Sequence, residues 1–148
     1  MKWINHQILT GTIVYAASGS LLYAAYSMAG SVLPDKLEGN PREQKNYWRW
    51  RSRHRGTSHW PAPYLAGIAA LLAASRGQFA TAAMWDLCQI GIFILVGAVL
   101  HIVEDSVCGK VPLFWRNKKI GISLFKVGSV TEYIFVLAVI LFLLREQW

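Results

Sequence analysis

Apolar residues gather into four long runs, 8–33, 61–75, 87–103 and 127–144, separated by two polar, basic segments, 35–60 and 104–126. The first run carries no charged side chain over 26 residues. As one helix it would rise about 39 Å, more than the ~30 Å hydrocarbon core of a bilayer. Ser18, Gly19 and Ser20 interrupt it near the middle, so it predicts either one tilted span or two short helices folded into a hairpin. It is too long for the ~7–15-residue apolar core of a cleaved signal peptide. Several of the other runs are short for a full crossing, which predicts a compact bundle with polar ends drawn into the interface. Trp60, Trp85, Trp115 and Trp148 flank the runs, where amphipathic rings favour the headgroup region. The expected fold class is an all-α integral membrane protein, a small bundle of about four to five membrane helices.

Composition points the same way. Of 148 residues 54% are hydrophobic and 16% charged, whereas a soluble domain has about a quarter charged. Cys88 and Cys108 do not form a CxxC pair and cannot make a disulfide scaffold. Fifteen Lys and Arg against eight Asp and Glu leave a formal charge of +7, an excess that suits nucleic acid, anionic lipid or a phosphorylated substrate.

The distribution of the cations chooses among these. Lys36, Arg42, Lys45, Arg49, Arg51, Arg53 and Arg55 lie in the first polar segment, and Lys110, Arg116, Lys118, Lys119 and Lys126 in the second. Arg76 and Arg145 lie opposite, and the side of Lys2 depends on the hairpin. By the positive-inside rule both basic segments are cytoplasmic. Trp48 and Trp50 alternate with the arginines of 49–55, a pattern that suits stacking on nucleic acid. Beside a membrane, such a cluster more often anchors to anionic headgroups. Membrane lipids are therefore the expected partners, and nucleic acid is disfavoured.

The four histidines sit among other polar groups. His101 and Asp105 are four apart, on one helical face, with Glu104 beside them. A charged pair at the end of a membrane helix is costly unless it caps the helix or serves a site. In His54-Arg55-Gly56-Thr57-Ser58-His59, a regular helix would turn the two histidines about 140° apart; Gly56 permits a tight turn that brings both inward. Asp35 follows Leu33-Pro34 at the edge of the first run, with Glu38 three residues on. Asp35, His54, His59, His101 and Asp105 all fall on the expected cytoplasmic face. Their nitrogen and oxygen donors suit zinc first, or manganese or iron, better than magnesium. His6 joins them only if the first run is a hairpin.

Leu33-Pro34-Asp35, the His54–His59 segment, His101-Ile102-Val103-Glu104-Asp105 and Gly128-Ser129-Val130-Thr131-Glu132 together resemble the YdjM-like family of membrane-bound metal-dependent hydrolases. The resemblance runs from His6 to Glu132 and implies one domain over residues 1–148. It also implies a hairpin start, His6 among the site residues, a bacterial inner-membrane setting and a divalent metal. Leu37 and Glu38 depart from the family's LPDxDH segment, in which aspartate and histidine occupy those positions. That departure suits one metal rather than two, or a degenerate member.

Such a site activates water toward a pKa of ~7. Glu104 and Glu38 are candidate general bases, and Arg55 is a candidate for binding phosphate and stabilising transition-state charge. Glu132 is placed to orient a ligand histidine. The reading that follows is hydrolysis of a phosphoester or related bond in an amphiphilic substrate, such as a lipid-linked phosphate, at the cytoplasmic face. The rival is a non-catalytic membrane scaffold or metal-binding partner protein. Transport is disfavoured, because the runs carry few polar residues to line a path.

Overall fold

The computed structural model describes residues 1–39, 54–77 and 81–145; the basic cluster at 48–53 and Trp148 lie outside them. The described residues are mostly helical. Helix α1 (Trp3–Ser18) ends at Gly19, whose φ of 66° lies in the left-handed region and whose N–H bonds to the Tyr15 carbonyl. Glycine takes that conformation without the Cβ penalty and so stops the helix. Ser20 then caps α2 (Leu21–Gly30) by accepting from the Tyr23 N–H. The two helices pack against each other, so the first apolar run is a hairpin and not a single span.

Pro34 opens the short helix α3 (Leu33–Glu38), where its missing N–H costs nothing. A 3-10 turn at Thr57–His59 precedes α4 (Ala62–Ser75). Thr81 caps α5 (Ala82–Cys108), which runs 27 residues. A two-stranded antiparallel ribbon, β1 (Val111–Pro112) with β2 (Lys119–Ile120), leads to α6 (Val130–Arg145).

Helix α5 is the axis on which α1, α2 and α4 pack. A Cβ at Gly30 would overlap the Ile94 carbonyl, and one at Gly97 the Ser27 carbonyl. The small residues thus let the α2 and α5 backbones approach more closely than any side chain would allow. Helix α5 rises about 40 Å and, among the described residues, is the one helix long and apolar enough to cross a bilayer. Helices α1, α2, α4 and α6 rise only about 15–24 Å, short of the ~30 Å core. Leu21, Leu22, Ile134, Leu137, Leu141 and Phe142 nevertheless point outward, each more than half exposed, as lipid-facing side chains do.

Among the described residues the buried ionisable side chains gather at one end of the bundle. Asn5, His6 and Thr10 from α1, and His101, Glu104 and Asp105 from α5, are buried there with His59 and Glu132. Helix α4 starts three residues after His59, and α6 starts beside Lys2 through Glu132. Arg76 and Arg145, at the far ends of α4 and α6, therefore lie away from the polar end.

A candidate metal centre at the polar end of the bundle

Four side chains from three segments converge on one point. Asp35 (α3), His59 (the 3-10 turn), His101 and Asp105 (α5) each offer one donor atom, and the four atoms lie within 4.8 Å of one another. His59 Nε2 is 3.2 Å from His101 Nε2, 3.3 Å from Asp35 Oδ1 and 3.5 Å from Asp105 Oδ2. His101 Nε2 is 3.6 Å from Asp35 Oδ1 and 3.8 Å from Asp105 Oδ2. Bonds of ~2.0–2.1 Å to a tetrahedral ion put donors about 3.3–3.5 Å apart, so these spacings fit a metal of zinc's size. Both histidines are fully buried and Asp105 nearly so, while the Asp35 side chain keeps 16% exposure. The site therefore opens toward solvent on the Asp35 side.

The donors are held from behind. Glu38 Oε1 lies 2.9 Å from His59 Nδ1 and accepts from Ser58 Oγ, while its Oε2 meets His54 Nδ1 at 2.6 Å. A carboxylate on Nδ1 fixes the tautomer that leaves a lone pair on Nε2. Trp3 Nε1 donates to Asp35 Oδ2 at 2.7 Å, which leaves Oδ1 facing the histidines. Burial opposes charge on His59, but Asp105, Asp35 and Glu38 outweigh it and push the imidazole up to about 10. Asp35 and Glu38 are held well below the usual carboxylate range despite burial, Asp35 by His101 and His59, and Glu38 by His54, His59 and Ser58.

Arg55 is spent on Asp105: Nη2 donates to Oδ1 at 2.9 Å and Nε lies 2.7 Å from Oδ2. In this structure the guanidinium that the sequence marked for phosphate binding is paired with Asp105. The tight turn also forms differently from expectation. Arg55, not Gly56, takes the left-handed backbone, with φ 54°, a strained conformation for a residue with a Cβ. Gly109 makes room for the guanidinium, since a Cβ there would overlap Arg55 Nη1. The N-terminal amine of Met1 also reaches Asp105 Oδ1, at 2.6 Å.

His6 arrives at this end because of the hairpin, but stands behind the four donors. Its Nδ1 meets Glu104 Oε2 at 2.5 Å, its ring lies 3.9 Å from that of His101, and its Nε2 faces Asp105 Oδ1 at 3.4 Å. Glu104 also accepts from Thr10 and is buried. His54 contacts Glu38 and is not one of the four. Glu132 touches no histidine; it accepts from the Lys2 and Gly128 amides and from Asn5 Nδ2, tying α6 to the start of α1. Leu37 is 63% exposed, so the departure at that position removes no donor from the four.

Trp3 and Cys108 were not singled out from the sequence. Cys108 Sγ lies 3.2 Å from the Met1 amine. Neither residue type marks a metal shell by its spacing, and only the hairpin places Trp3 beside Asp35.

A family profile described as YdjM inner membrane protein matches residues 1–148, the whole chain. No curated protein and no solved structure matches it.

Proposed function

Given that this chain belongs to the YdjM inner membrane protein family, we propose that it is a membrane-bound, metal-dependent hydrolase acting on a phosphoester or related bond of an amphiphilic substrate at the cytoplasmic face. The observation that carries the reading is the convergence of Asp35, His59, His101 and Asp105 at ligand spacing, in a buried pocket open on one side. In this reading α5 crosses the bilayer with the shorter apolar helices around it. The polar end faces the cytoplasm, because Lys36, Arg55, Lys110, Arg116, Lys118, Lys119 and Lys126 cluster there.

The four donors would hold zinc first, with manganese or iron as alternatives. What such an ion supplies when bound is Lewis-acid activation of water near neutral pH. The chain's own groups do the rest. Glu38 and Ser58 brace Nδ1 of His59, Trp3 orients Asp35, and Arg55 pairs with Asp105. Glu38 and Glu104 are each engaged by a histidine, and His6, buried behind the donors, braces Asp105 and Glu104. Arg116 and Lys119 stand at the rim, bonded to Thr57 Oγ1 and the His54 carbonyl, and favour an anionic substrate.

The test is elemental analysis of the purified protein reloaded with zinc, manganese or iron, followed by a screen on phosphomonoester, phosphodiester and lipid-phosphate substrates. Metal-dependent turnover that disappears in His101→Ala supports the reading. Stoichiometric metal without turnover on any of them, or no metal, overturns it.

A further inference from the structure

The segment between α5 and α6 departs from what a water-exposed loop should be. Phe114 and Trp115 are 75% and 71% exposed, and Ile122 and Leu124 are 75% and 62% exposed. These tips are rigidly presented. The Ile122 and Leu124 amides bond to the Ser106 and Val107 carbonyls in the last turn of α5, each at 2.8 Å. Phe125 is buried and packs on Phe135 of α6. Val111 and Pro112, the inner strand of the ribbon, are also buried. The backbone is therefore anchored at the level of Asp105 and Cys108 while the apolar tips face outward.

The same stretch is uniformly cationic. From Lys110 to Thr131 there are five Lys and Arg (Lys110, Arg116, Lys118, Lys119 and Lys126) and no acidic residue. Apolar tips interleaved with cations, at the end of an apolar helix of spanning length, match a bilayer surface in both hydrophobicity and charge. The tips partition below the headgroups while the cations meet lipid phosphates. A folded protein partner would match the apolar tips equally well, but it would not account for their level at the end of α5 and the start of α6.

We propose that residues 113–126 form an interfacial lip that inserts into the anionic inner leaflet and presents phospholipid headgroups to the rim of the metal centre. The lip's contact with lipid stands on its own geometry; delivery of a headgroup to the site rests on the hydrolase reading. Arg116 and Lys119 connect the two, since both touch the His54–His59 segment that carries His59.

The test places an environment-sensitive fluorophore at Ile122→Cys in full-length protein in nanodiscs, with unlabelled wild type as control for the buried Cys88 and Cys108. In discs containing phosphatidylglycerol, the expected result is blue-shifted emission, quenched by lipid carrying a shallow nitroxide and shielded from iodide. Lys118→Glu with Lys126→Glu, two exposed positions away from the metal site, should restore iodide quenching at least several-fold. Water-like emission open to iodide would overturn the proposal. So would shielding from both quenchers, which would mean that protein covers the lip. Neither readout involves metal or turnover, so failure here is distinct from failure of the hydrolase reading.

Discussion

His59 Nε2 and His101 Nε2 face each other across 3.2 Å, although 42 residues separate them in the chain. His59 Nδ1 lies 2.9 Å from Glu38 Oε1 and 3.0 Å from Ser58 Oγ, so that side of the ring is occupied. Once an ion displaces the Nε2 proton, that nitrogen would face the same point that His101, Asp35 and Asp105 approach. Two carboxylates and two imidazoles converging in this way, largely buried, suit a bound cation.

The four-donor set separates His101 from His6. His101→Ala should reduce bound metal from about one per chain to near none, whereas His6→Ala should weaken affinity by about 10–100-fold, as expected for a group that acts through another. Equal loss in both, read by elemental analysis after dialysis, would make His6 a direct ligand. These variants are cleaner than Asp105→Ala, which strands the Arg55 guanidinium at a cost of about 3–5 kcal/mol.

Glu38→Gln keeps the size of the side chain but no longer holds the Nδ1 proton of His59 as a carboxylate does. Metal affinity should fall about 10–100-fold with thermal stability nearly unchanged, as measured by competition with a chromogenic chelator. Unaltered affinity would show that Glu38 only ties down the loop.

Gly97→Ala places a methyl group against the Ser27 carbonyl of α2. Separating two packed backbones should cost about 1–3 kcal/mol, seen as a lower unfolding midpoint in detergent. Gly77→Ala, where a Cβ makes only ordinary contact, should stay within about 0.5 kcal/mol of wild type.

Orientation is tested by cysteine accessibility in intact cells. Arg76→Cys should react with an impermeant thiol reagent added outside, and Lys118→Cys should not. The reverse pattern would invert the protein in the membrane.

What the sequence reveals of this site depends on the range of each interaction. His101 and Asp105 share a helical face, and four-residue spacing is enough to pair them. The hairpin is visible as an ambiguity in 18–20, resolved by the left-handed Gly19. The contacts of Trp3 with Asp35, His6 with Glu104 and Arg55 with Asp105 join residues 32, 98 and 50 positions apart, and no local pattern specifies them. For the same reason Arg55, Glu38 and Glu104 read as free catalytic groups in the sequence, whereas in the fold each is paired. Helix length alone leaves the hairpin open, because an apolar run of 26 residues can be one span or two short helices.

X-ray absorption at the metal edge of the purified, metal-replete protein examines the centre most directly. A shell of two imidazole nitrogens and two carboxylate oxygens is expected, together with the solvent oxygen that the hydrolase reading requires, at ~2.0–2.2 Å, with one imidazole lost in His101→Ala. A sulfur scatterer from Cys108, an all-oxygen shell, or a spectrum unchanged by His101→Ala would contradict it.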